Sequence, residues 1–220
     1  MRPQSVLRRR MQIPHPERVM QDLEEFLPAF TDALNYAFKK YFQEYPANVR
    51  ADHDTTTQAN CIYDHLLARI QSLLDGRKGV RFIVAHGLTV LVIRTRYAIK
   101  FKKLTETGVS SNVRTEQSDA FDQQEELEGM PPRAIHLKVG YVSDSSNTLI
   151  ERLLVVCPNG QTVAWAQQFG LGEAADQWAD VTKQQPLFQP SAPRIRVKKP
   201  TKTVEAPGKT GTVVSLRGRK

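Results

Sequence analysis

Between Glu17 and Tyr45 the large apolar residues Val19, Leu23, Phe26, Leu27, Phe30, Leu34, Phe38, Tyr41 and Phe42 recur at steps of three and four. That spacing lays a single apolar stripe along an amphipathic helix. Pro28 has no backbone donor and disfavours helical geometry at the preceding residue. The stretch is therefore expected as two helices, near 16–27 and 29–44, the second closed by Pro46. Asp54-Thr55-Thr56-Thr57 then offers side-chain oxygens to cap a third helix, in which Ala59, Ile62, Leu66, Ile70 and Leu73 keep the helical step until Gly76.

From Gly79 the period changes to two. β-Branched residues crowd Val80 to Val84 and Leu88 to Ile93, with His86-Gly87 as the turn between them. In a third strand, 97–102, Tyr97, Ile99 and Phe101 alternate with Ala98, Lys100 and Lys102, which predicts one face on the core and one in water. Residues 114–127 read as a short polar helix around Ala120 and Phe121, ended by Gly129, Pro131 and Pro132. Three more strands are expected at 135–142, 149–156 and 162–169. Asp144-Ser145-Ser146-Asn147 and Pro158-Asn159-Gly160 divide them, and Asn-Gly is a strong hairpin signal because both residues tolerate positive φ.

This order predicts an α+β fold: N-terminal helices, then two antiparallel three-stranded meanders separated by a short helix. One six-stranded sheet and two small sheets remain equally open. The predicted organisation is a basic extension at 1–15, a single α+β domain at 16–183 and a disordered basic Pro/Lys/Thr tail at 184–220.

Charge sharpens the picture because it is unevenly spread. The formal net charge is +8, yet residues 1–10 alone carry +4 and residues 191–220 carry +8, leaving −4 on the stretch between. The tail cations include Arg194, Arg196, Lys198 and Lys199. A tail of this kind suits attachment to nucleic acid by counterion release, and equally suits a merely solubilising terminus. Inside the body, residues 77–103 hold eight bases (Arg77, Lys78, Arg81, Arg94, Arg96, Lys100, Lys102 and Lys103) and no acid. If Lys100 and Lys102 lie opposite Arg94 on an exposed face, this hairpin is a cationic ribbon for phosphate oxygens. Tyr97 or Phe101 could stack on a base, but strict alternation assigns both to the core.

Several chemistries lack their usual supports. There is no Gly-x-Gly-x-x-Gly or Walker-type loop, no Gly-x-Ser-x-Gly elbow and no His-Glu-x-x-His helix. A metal-dependent nuclease needs paired carboxylates near a lysine, and the acid-free hairpin would repel a divalent cation. Such a site would have to draw on Asp64, Asp75 or the second meander. Asp52-His53-Asp54 reads as helix capping rather than a metal site, and Cys61 with His65 as a helix face without a third ligand. Cys61 and Cys157 read as small buried hydrophobes. No cofactor or metal is expected. The longest uncharged apolar-rich run, Phe82 to Ile93, is too short for a bilayer span, and Pro14-His15-Pro16 follows the basic start where a secretory signal would be apolar. A cytoplasmic location is the expectation.

Arg81-Phe82 before His86-Gly87-Leu88, then Tyr97 through Lys103, Ser110-Ser111-Asn112, Pro131-Pro132 and Val156-Cys157-Pro158-Asn159-Gly160 together resemble an uncharacterised bacterial family. The resemblance covers about two thirds of the chain. It implies a bacterial or phage-related accessory protein, encoded beside helix-turn-helix regulators and zinc-dependent peptidases, and it transfers no catalytic residue.

The expectation is thus a non-enzymatic nucleic-acid-associated protein, DNA or RNA, contacting phosphates through Arg81, Arg94, Arg96, Lys100, Lys102 and Lys103 and through the tail. The alternatives are an interaction partner for a regulator or peptidase and, further off, a metal-dependent nuclease.

Overall fold

The computed structural model of the chain describes residues 12–85, 87–110, 115–170 and 178–182. The predicted tail at 184–220, with Arg194, Arg196, Lys198 and Lys199, and most of the basic extension at 1–15 lie outside these residues.

Three helical segments open the chain: α1 (Pro16–Leu23), a 3-10 turn (Glu24–Phe26) and α2 (Leu27–Glu44). α1 ends at Leu23 rather than at 27 and α2 starts at Leu27 rather than at 29, because proline is accommodated in the first turn of α2, where no donor is needed. A four-residue helix, α3 (Ala47–Arg50), leads to α4 (Thr55–Leu74), whose first turn is capped by Asp54 accepting from the Thr57 N–H at 2.7 Å.

Seven strands follow: β1 (Val80–Ala85), β2 (Leu88–Ile93), β3 (Tyr97–Lys103), β4 (Ile135–Ser143), β5 (Ile150–Asn159), β6 (Thr162–Phe169) and β7 (Trp178–Asp180). They form one mostly antiparallel sheet in sequence order, β1 to β7. The exception is the central pair. The connection after β3 carries α5 (Glu116–Asp122) and returns the chain to the same end of the sheet, so β4 runs parallel to β3 from Tyr97↔Ile135 to Lys103↔Tyr141. The short strand β7 pairs with β6 and completes a row that the hydrophobic pattern ends one strand earlier.

Helices α1, α2 and α4 cover one face of the sheet. Phe30, Leu34, Phe38 and Tyr41 of α2 and Ile62, Leu66 and Ile70 of α4 are buried there against Tyr97, Ile99, Phe101, Leu137, Val139 and Val155. Each such side chain contributes about 1.5–3 kcal/mol by leaving water, so this layer dominates the stability. The opposite face is covered too. Phe121 of α5 packs with Val90, Val92, Ala98 and Ala134, and farther along Leu104, Val142, Leu154, Val156 and Ala166 form a third cluster.

That second covering corrects the expected water-facing side of β3. Ala98 is fully buried and Lys100 is only 3% exposed. The alternation in the sequence is real, but a helix sits over both kinds of position.

Candidate functional site

The acid-free hairpin is neutralised from a distance. Arg94, in the β2–β3 turn, donates to the Glu25 carboxylate, and Arg77 reaches the same group at 3.7 Å. Arg96 Nη1 donates to Asp22 Oδ2 at 2.7 Å, and the Tyr97 hydroxyl donates to the same oxygen at 2.6 Å. The acids come from α1 and the 3-10 turn, roughly seventy residues upstream. Arg94 and Arg96 therefore clamp the sheet to the N-terminal helices, and the expected continuous cationic ribbon is corrected at both positions. Arg81 lies exposed on β1.

Lys100 is corrected for a different reason. Its ammonium lies 4.7 Å from the Phe121 ring centroid, under α5, and burial together with the charges of Lys102 and Lys138 pushes its pKa down to about 8. Beside it in the parallel register stands Lys138, also 3% exposed, which donates to Asp122 Oδ2 and to Ser110 Oγ at 2.8 Å each. Phe121 in turn stacks on His136 with ring centroids 4.3 Å apart. Burial pushes the His136 pKa down to about 4, so this imidazole is neutral at physiological pH.

Lys102 and Lys103 remain, and they line a polar concavity of the domain. Although both strands continue, β2 and β3 pair only over Leu91↔Ile99, Val92↔Ala98 and Ile93↔Tyr97. Beyond that point β2 stays with β1 while β3 stays with β4, and the sheet splits into a notch. Thr55, Thr56, Ala59, Asn60 and Tyr63 of α4 form one wall; Lys102, Lys103, Leu104 and Thr105 form the other, with Gly87 at the rim. The enclosed volume is about 660 Å³, within the range of small-ligand sites.

The chemistry of the notch is that of an anion receptor. Among the described residues its walls carry hydroxyl, amide, phenol and ammonium groups and no carboxylate. Lys102 Nζ lies 5.6 Å from the Tyr63 ring centroid. Burial, then the neighbouring Lys138 charge, lowers the Lys102 pKa; burial also lowers that of Lys103. Lys103 donates to Asn147 Oδ1, an oxygen that also accepts from Ser143, so its ammonium is held at the mouth of the notch. Gln58 Nε2 donates to the Asn147 carbonyl at 2.8 Å and ties the start of α4 to the same loop. Neither lysine has a carboxylate partner among the described ion pairs. Asp144, in the loop that bears Asn147, acts on Lys103, and Asp122 on Lys102, each partly offsetting the effect of burial.

Lys102 owes its position to Gly140, its partner across the parallel pair. A Cβ on Gly140 would overlap the Lys102 carbonyl oxygen and come within 3.0 Å of Leu104 Cγ. Only glycine lets the two backbones lie this close.

Tyr63 and Asn60 are the wall residues that sequence reasoning passes over. Tyr63 sits one position beyond the buried stripe of α4 at Ile62, and no local signal distinguishes it from a stray aromatic. Burial raises its pKa. Among the described residues no group of three or more His, Cys, Asp or Glu stands close enough to hold a metal ion, and no helix is long and apolar enough to cross a membrane. Cys157 is buried and burial pushes its thiol up to about 12, while Cys61 is half-buried. Set against protein-family models, curated proteins and solved structures, the chain matches none of them.

Proposed function

We propose that the protein binds nucleic acid without acting on it chemically, holding the sugar-phosphate backbone at the notch through Lys102 and Lys103. One observation carries the reading: two lysines without an ion-pair partner among the described residues share a nucleotide-sized cavity whose described lining holds hydroxyl and amide groups and no carboxylate. Phosphate oxygens need such donors, and a lining without carboxylates limits the repulsion they meet. The cationic segment 191–220 strengthens attachment non-specifically by counterion release. Arg94, Arg96 and Lys100 have no part in the contact, because the first two are neutralised and the third is buried.

The test is the salt dependence of binding for the wild-type chain and a Lys102→Ala/Lys103→Ala variant, measured by electrophoretic shift on DNA and RNA. Losing two phosphate contacts should lower the slope of log K against log salt by about 1.4–1.8 and weaken binding at every salt concentration. An unchanged slope and affinity would reject the notch as the contact.

A further inference from the structure

The notch also restricts which form of nucleic acid can enter. Resting on the reading above, we infer that it accepts one unpaired nucleotide, so that the protein selects single-stranded over duplex nucleic acid. A cavity of about 660 Å³ holds a single nucleotide and excludes a base pair still stacked in a helix. Among the described residues its one aromatic wall residue is Tyr63, set opposite Lys102, whose ammonium lies 5.6 Å from the ring centroid. An unstacked base would exchange stacking on its neighbours for stacking on the phenol, displacing the Lys102 ammonium from the ring face towards the phosphate. Asn60, one turn earlier on the same wall, supplies an amide for the base edge.

Part of the geometry is set before binding: the Lys102 backbone by the close approach of Gly140, and the Lys103 ammonium by Asn147. A duplex could present only its outer phosphates to the rim and would touch Lys103 without reaching Tyr63. Stacking is tolerant of base identity, so the expected preference is for strand state rather than for sequence.

The experiment is fluorescence anisotropy with the full chain and three labelled probes: a 12-nucleotide oligothymidylate, a duplex of equal length, and an abasic strand with the same number of phosphates. Reading the ratio between probes cancels the shared contribution of the cationic termini. Binding of the single strand should exceed that of the duplex and the abasic strand by about 10-fold or more. Tyr63→Ala should reduce only the single-strand affinity, by about 5- to 150-fold, and Tyr63→Phe should keep most of it, which separates loss of the ring from loss of the fold. If all three probes bind equally and all lose affinity in Lys102→Ala/Lys103→Ala, the selectivity is wrong and the phosphate reading stands. If no probe is affected by the lysine pair, both fail.

Discussion

The side chain of Gln124 pairs with both main-chain groups of His136, accepting from its N–H at 2.9 Å and donating to its carbonyl at 2.8 Å. The same amide nitrogen donates to the Pro158 carbonyl at 3.0 Å. Proline in a central strand has no N–H for its neighbour, and the β5 register shifts at Cys157/Pro158. Gln124, just beyond α5, supplies the missing rung between β4 and β5.

Replacing Gln124 by Ala should therefore leave three buried backbone groups without partners and cost about 2–4 kcal/mol in urea unfolding. Glu at this position restores the acceptor but not the donor and should fall between the two. A loss below about 1 kcal/mol for Gln124→Ala would mean that water replaces the amide.

Arg96 and Asp22 should show coupling in a double-mutant cycle of about 0.5–1 kcal/mol, modest because the pair is partly exposed. Arg94→Ala/Arg96→Ala should lower the thermal midpoint while leaving the salt slope of nucleic-acid binding unchanged. A flatter slope in that variant would return these arginines to the binding surface.

Lys100→Met should stabilise the protein at neutral pH by about 1–3 kcal/mol, since the thioether fills the same space beneath α5 without a buried charge. The sign follows from the lowered pKa. Below about 8 the folded state holds a buried ammonium that the unfolded state keeps in water; above 10.5 the amine is neutral in both. The advantage of the variant should thus be full below pH 8 and shrink between pH 8 and 10.5, as read by urea unfolding across that range.

Gly140→Ala and Gly76→Ala should differ sharply. A Cβ at Gly76 meets nothing within 4 Å and encounters only the cost of its φ of +70°, about 1 kcal/mol. At Gly140 the new methyl group collides with the Lys102 backbone, so a loss of about 3 kcal/mol or more is expected, with nucleic-acid binding weakened alongside stability. Equal effects at the two sites would show that the β3–β4 pair relaxes freely.

Local chemistry made most elements readable. The stripe from Val19 to Phe42, the Asp54 cap and the two runs of β-branched residues before Ile93 are each set by near neighbours in sequence. What stayed hidden depended on distance along the chain. Nothing near Arg94 or Arg96 announces Glu25 or Asp22, so a solvated cationic arm and a helix clamp have the same local sequence. The alternation in 97–102 cannot tell water from α5 as the cover for Lys100. The notch arises from a mismatch in how far two strand pairs extend, a property of topology that no single segment encodes.

Five of the six strand adjacencies are antiparallel joins between consecutive segments, and only β3 against β4 requires the chain to travel through a long excursion first. Loop-closure entropy makes that central join the slow one to nucleate. The two halves of the sheet can zip up independently on the microsecond scale of hairpins, with the central seam sealed last. Hydrogen exchange during refolding should accordingly protect Leu153 to Val156 before Ile99 to Phe101. The lysine-bearing cleft would then be among the final features of the molecule to take shape.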